Sequence, residues 1–372
     1  MVYIQSANQI SVQKPLSDEW FDNPVYYTGR RVPTLNPDFA PHFSVLQSRR
    51  MCVLLKRAVV LSRLALKEAS VEMPDAIISG TGLGCIDNTE KFLYSISENE
   101  EQFLQPTFFM QSTHNILSST IAIDLKCHGY NNTFVHRGAS FENALLDAVM
   151  QIKQGRVQTA LVGGYDELTD DYFQFFDRIG IWDFQKGVSP KENCFASEAA
   201  VSLLLGNTRN EHTICELNDV VLMHKPTPGQ IQQSLDALLT KAGCKLTDID
   251  AILTGLNTHA VNDKIYRNTI DLFFRDIPVL QYKHLFGESF SSSALAVYVA
   301  ITCLRKGYAP SLLTVDPPAT ASSIPSTNSP SDASPTLLTN EDAGIKGIRR
   351  ILVYNHYRNK SHTLTLLSSC SN

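Results

Sequence analysis

The chain has 372 residues, with 32 Lys and Arg against 37 Asp and Glu, a formal net charge of −5. That balance lacks the basic excess or dense basic stripe that nucleic-acid phosphates require, and no run approaches the ~20 apolar residues that cross a bilayer. Hydrophobic residues make up 43% and charged ones only 19%, which leaves room for a large core and a buried subunit interface.

In chain order, residues 50–70 carry apolar positions at helical spacing and predict a helix. A short β-branched strand follows at Asp75–Ser79 and runs into Gly80-Thr-Gly82-Leu-Gly84. The segment 115–126 fits another helix. Residues 132–164 then give strand (132–135), tight turn (136–139), helix (140–154) and strand (158–164). A second pass of this pattern predicts a helix at 230–244, a strand at 250–253, a helix at 262–274 and a strand at 277–281. A turn at 283–288 and an apolar helix from 289 to 304 complete it. Such alternation points to an α/β fold with a mixed or parallel sheet. The repetition suggests two similar halves, 1–210 and 211–372. Residues 317–336 contain 14 Pro, Ser or Thr among 20. Such a stretch buries too little apolar surface to offset its ordering entropy, so a flexible insert is expected at about 316–340. Runs at 350–354 and 363–367 predict a closing hairpin.

Gly80–Gly84 has the start of a dinucleotide loop, but Cys85 stands where the third glycine of GxGxxG belongs, and Asp87 and Glu90 follow. No cofactor is expected there. Eight scattered cysteines with no CxxC fit reduced thiols of a cytoplasmic protein, and no His/Cys cluster has metal spacing. The more informative turn is His136-Arg137-Gly138-Ala139-Ser140. A tight turn from strand to helix puts its residues at a helix N-terminus, where a low-pKa nucleophile would sit. The turn residue, however, is Gly138, and Ser140 reads as a helix cap.

Several blocks, in order, resemble the β-ketoacyl-acyl-carrier-protein synthases of the thiolase fold. They are Ser48-Arg-Arg-Met51, Ser79–Gly84, Gly138-Ala-Ser-Phe-Glu-Asn-Ala144, Val162-Gly-Gly-Tyr-Asp-Glu167, Ser197-Glu-Ala-Ala-Val-Ser-Leu-Leu204, Asn262-Asp263 and Lys283-x-x-x-Gly287. The resemblance covers about residues 48–310. It implies a thiolase-like α-β-α-β-α five-layered sandwich of two similar halves that dimerises.

The departures bear on function. The family carries a nucleophilic cysteine where this chain has Gly138. Its two catalytic histidines fall at Gly255 and Glu288, while its lysine is retained as Lys283. His259 and His284 lie nearby at the wrong offsets. No catalytic triad is intact. The resemblance therefore implies a non-catalytic member similar to a chain-length factor, paired with an active ketosynthase or with itself, and meeting an acyl carrier protein. Fatty acid, polyketide or aryl-polyene-type biosynthesis is the expected setting. The competing readings are an active synthase or acyltransferase with a non-standard nucleophile, Ser140 or Cys127, and a stand-alone acyl-binding protein. Glu288 is expected either to pair with Lys283 in the former site or to be a solvated loop charge.

Overall fold

A computed structural model describes residues 1–99, 102, 104–185, 192–315 and 344–370. The insert expected at about 316–340 lies outside the described residues. The first half runs β1 (Tyr3–Ile10), α1 (Val45–Arg50), α2 (Val53–Glu68), β2 (Ala76–Gly80), α3 (Ile86–Glu98), α4 (Pro106–Ser112), α5 (Ile116–Leu125), β3 (Tyr130–Phe134), α6 (Ser140–Lys153), β4 (Thr159–Asp166), α7 (Asp170–Arg178) and β5 (Ala199–Gly206). The second runs β6 (Cys215–His224), α8 (Pro228–Ala242), β7 (Ala251–Thr254), α9 (Ala260–Phe273), β8 (Val279–Gln281), α10 (Lys283–Phe286), α11 (Ser292–Lys306), β9 (Tyr308–Ala309), β10 (Ile345–Lys346), β11 (Arg350–Tyr357) and β12 (Ser361–Ser369).

The strand order is β3-β2-β4-β5-β1-β6-β12-β11-β7-β8. Outward from the centre, β1 is antiparallel to β5, β5 antiparallel to β4, β4 parallel to β2 and β2 parallel to β3. On the other side β6 is antiparallel to β12, β12 antiparallel to β11, β11 parallel to β7 and β7 parallel to β8. The two halves thus repeat one topology. Their strands meet where Tyr3 of β1 pairs with Glu216 and Ile4 with Cys215 of β6.

Three apolar clusters explain the layering. In α2, Leu54, Leu55, Ala58, Leu61, Ala65 and Leu66 form one helical face, which packs with α5 against β2, β4 and β5. Helices α8 and α9 cover β6, β7, β11 and β12 from the far side. Between the half-sheets lie α6 and α11, whose side chains share one core with strands of both halves. Helix α11 is buried from Ser292 to Leu304, as a helix with sheet on both sides must be. The result is the α-β-α-β-α order.

Two details differ from the expected elements. Residues 283–286 make a short helix rather than a plain turn. Strand β1 gives no alternating signal: it buries Gln5, Ser6, Asn8 and Gln9 along with its apolar residues, because it sits inside the sheet.

Candidate functional site

Gly138, Gly255, Lys283 and Glu288 all line one cavity of about 560 Å³. They reach it from different elements: Gly138 from the turn before α6, Gly255 from the end of β7, and Lys283 and Glu288 from α10 and the loop before α11. The end of β11 supplies Asn355, His356 and Tyr357 to the same cavity, and the turn after it supplies Arg358.

At the α6 turn Arg137 has a φ of 53°, a strained value for a residue with a side chain. Its guanidinium lies 5.8 Å from the centre of the Phe290 ring. A Cβ built on Gly138 would lie 2.5 Å from Cδ2 of Tyr357. The Tyr357 ring therefore holds the space that a side chain at this turn would need.

Gly255 is crowded in the same way. A Cβ there would lie 2.4 Å from the Tyr266 hydroxyl, 2.9 Å from Oδ1 of Asn355 and 3.1 Å from Nζ of Lys283. Tyr266, from α9, donates to Oδ1 of Asn355 at 2.5 Å. Asn355 in turn donates to Oε1 of Glu142 on α6 at 2.8 Å, and Ser293 donates to Oε2 at 2.8 Å. Burial raises the Glu142 pKa, against the pull of these donors.

Lys283 Nζ donates to Oε2 of Glu288 at 2.5 Å, with the lysine side chain only 5% exposed. These two are a buried ion pair and not solvated loop charges. Burial alone would lower the lysine pKa; the Glu288 carboxylate more than reverses this and holds it above its ordinary value. Asn257 Nδ2 donates to the same carboxylate at 2.6 Å and Ser292 Oγ at 2.9 Å. Every oxygen of Glu288 is thus engaged.

His259 lines the cavity, whereas His284 is buried off it beside Tyr26. Asp263 takes the N–H groups of Asn257 and Thr258 at 2.9 and 3.1 Å, fixing the turn after β7. Ser140 is 1% exposed. Its hydroxyl accepts from His136 N at 2.8 Å and faces the carbonyls of Thr81 and Arg137. Cys127 is buried against the Pro74 carbonyl. Neither lines the cavity.

The Gly80–Gly84 loop spends its donors internally. Thr81 Oγ1 and the N–H groups of Gly82 and Leu83 converge on Asp166 at 2.8 to 2.9 Å. A carboxylate of the chain itself occupies the place that a phosphate would take. Among the described residues no group of three or more His, Cys, Asp or Glu is arranged to hold a metal ion, and no helix is long and apolar enough to cross a membrane.

Sequence reasoning missed Tyr266, Asn257, Asn355 and His356 as site residues. His356 is 7% exposed. Its Nε2 faces the Asn262 carbonyl at 3.1 Å and Nδ1 faces Asn359 N at 3.4 Å, which assigns the Nε2–H tautomer. Burial lowers its pKa to about 3, so the ring is neutral at pH 7. The one available signal was the polar run Tyr354–Lys360, which stands where the resembled family is glycine-rich.

Residues 16–202 match the family model for the β-ketoacyl synthase N-terminal domain. No curated protein matches the sequence. Among solved structures, a β-ketoacyl synthase from Burkholderia phymatum STM815 superposes with a TM-score of 0.77 at 16% identity, covering 100% of this chain and 99% of that one. The ishigamide ketosynthase/chain length factor gives 0.76 at 17% identity, with 100% and 99% covered. The ketosynthase ApeO in complex with its chain length factor ApeC, from Xenorhabdus doucetiae, gives 0.73 at 16% identity, with 99% and 98% covered. Likeness at such identity establishes the thiolase-like ketosynthase fold.

Proposed function

The chain belongs to the β-ketoacyl synthase family, and from that premise we propose that it is a non-catalytic partner of the chain-length-factor type for an active ketosynthase. The observation that carries this reading is the Tyr357 ring lying against Gly138, in the space of the elbow side chain. Condensation in this family needs a thiolate to carry the acyl group and two imidazoles to assist decarboxylation and steady the enolate. Here the thiol position is a glycine, one imidazole position is Gly255 beneath Tyr266, and the other is Glu288 bound to Lys283. Loss of a single oxyanion donor costs about 10²–10³ in rate, and loss of the nucleophile removes acyl transfer altogether.

The dimer that fits this reading is a heterodimer with an intact ketosynthase, which receives its acyl groups from an acyl carrier protein. Fatty acid, polyketide or aryl-polyene-type assembly is the setting. The reading that Ser140 or Cys127 serves as nucleophile has no support in the geometry, since both hold buried structural bonds away from the cavity.

The test is intact-protein mass spectrometry after incubation with acyl- and malonyl-carrier-protein thioesters, alone and together with an intact ketosynthase of the same source. The expected result is acyl mass on the ketosynthase only, with a one-to-one complex in native spectra. A stoichiometric acyl adduct on this chain, or a homodimer that ignores the ketosynthase, overturns the proposal.

A further inference from the structure

The cavity between the two glycines carries an excess of positive charge, although the whole chain has a net charge of −5. Lys264 on α9 and Arg358 after β11 line it and are exposed, which places them at its rim. Arg137 stands next to the lining residue Gly138. Among the described residues none of these three cations forms an ion pair. Glu288 is the carboxylate in the lining, and Lys283, Asn257 and Ser292 already engage it.

Apolar surface adjoins these cations. Phe290 and Trp182, both buried, form an inner wall of the cavity, and half-buried Ile181 and Ile265 add to it. The Arg137 guanidinium stands 5.8 Å from the centre of the Phe290 ring. It is held there from a backbone with a φ of 53°, and strain of this kind gathers at ligand clamps.

We propose that the cavity binds a free apolar carboxylic acid of medium chain length, with its carboxylate on Arg137, Lys264 and Arg358 and its chain along Phe290 and Trp182. The inference rests on the functional reading above, in which the site transfers no acyl group, and adds the ligand: binding is reversible and no bond forms. A guanidinium fork matches a carboxylate edge, whereas the same field repels an amine. A small inorganic anion offers nothing to the aromatic wall. The 5.8 Å between the Arg137 charge and the Phe290 ring calls for a ligand whose charge sits directly on its apolar body. A phosphopantetheine thioester does not have that form, since a long polar arm separates its phosphate from its acyl chain. The volume of about 560 Å³ lies within the range of about 300–1,000 Å³ usual for small-molecule pockets.

The test is isothermal titration calorimetry on the full chain alone, at pH 7 and low salt, with octanoate as the probe. Octanol, octylamine, acetate and octanoyl-phosphopantetheine are the comparators. Octanoate should bind one to one, with octanol and octanoyl-phosphopantetheine on the order of tenfold weaker and no binding of octylamine or acetate. Lys264→Ala and Arg358→Ala should each weaken octanoate on the order of tenfold and leave octanol unchanged. Octylamine that binds as well as octanoate, octanoate affinity untouched in the double variant, or octanoyl-phosphopantetheine that binds as tightly as the acid overturns the proposal. Failure of the functional reading is seen separately, as a covalent acyl mass from a carrier thioester; the free acid used in the calorimetry has no activated leaving group and forms no such adduct.

Discussion

A methyl group on Gly138 would lie 2.5 Å from a Tyr357 ring carbon, well inside van der Waals contact. Gly138→Cys alone is therefore an overpacking change, expected to cost roughly 1–3 kcal/mol, and its thiol cannot be approached from the cavity past the ring. In Gly138→Cys with Tyr357→Ala the thiol gains its space at the N-terminus of α6, where its pKa falls. Only the double variant should be acylated by a reactive thioester, as read by intact mass; equal acylation of the single variant would show that the ring is not the obstacle. Glu288 gives a second expectation. Replacing it by Gln, or by the His of the resembled family, leaves Lys283 buried without its counter-charge, at a cost of roughly 3–5 kcal/mol. Burial then acts unopposed and drags the lysine pKa down, so the native state prefers the neutral amine. The stability deficit of Glu288→Gln should therefore shrink as pH rises from 7 towards 10, measured by denaturant unfolding of variant and wild type in parallel. The glycine of the elbow turn could be placed from the strand–turn–helix pattern, whereas Lys283 and Glu288 were singled out only by the resemblance to the ketosynthase blocks. The rings and amide that crowd the two glycines were not legible, because Tyr357 and Asn355 arrive from β11, far along the chain from Gly138 and Gly255, and Tyr266 is held in place by Asn355, 89 residues away.

Elements are held at their ends by buried polar groups, and two of these titrate in opposite senses. Asp166 closes β4 by gathering the donors of Thr81, Gly82 and Leu83, which seats Gly82 against Phe290 and the Arg137 backbone. Burial pushes its pKa up from 3.8 to about 7, against the pull of those donors. Between these values the native chain keeps a proton that the unfolded chain gives up, so Asp166 contributes less stability as pH rises from 4 to 7. His356 on β11 is the reverse. Its pKa falls from 6.5 to about 3, the unfolded chain binds the proton first, and stability is lost as pH drops through that window. Asp166→Asn should become more stable relative to wild type as pH rises from 4 to 7, by up to roughly 4 kcal/mol at ~1.4 kcal/mol per unit. His356→Gln should gain relative to wild type as pH falls from 6.5 towards 3. Parallel unfolding midpoints across pH 4–7 test both, and a variant-minus-wild-type difference that stays flat refutes the corresponding group. The regular elements around them, α2, α5, α6, α8, α9, β4 and the β11–β12 hairpin, were readable from period and punctuation. Strand β1 was not, since the enclosed Gln5, Ser6, Asn8 and Gln9 erase the alternation on which such reading depends.

At the scale of the whole molecule, the repeat of strand directions reads as two copies of one unit, yet the core is not two cores. Helix α6 from the first half packs against β6 of the second as well as against β2 and β4, and α11 from the second packs against β1 and β5 of the first as well as against β11 and β12. Each half-sheet therefore depends on a helix of the other to cover its inner face. We take residues 1–210 and 211–372 as the two units; the exposed β5–β6 connection at 207–211 lets the chain be cut between them without opening a buried segment. Either piece alone would expose the apolar inner face that α6 or α11 covers in the intact chain, and the direct β1–β6 link of two residue pairs is too slight to organise it. Expressed separately, each piece should lack a cooperative thermal transition and bind a hydrophobic dye. Expressed together, the two should copurify and regain a single transition, because the shared helical layer re-forms only from both. A first piece that melts cooperatively by itself would mean that its own strands and α2, α5 and α6 suffice as a core, and that the central layer joins two finished domains instead of completing one.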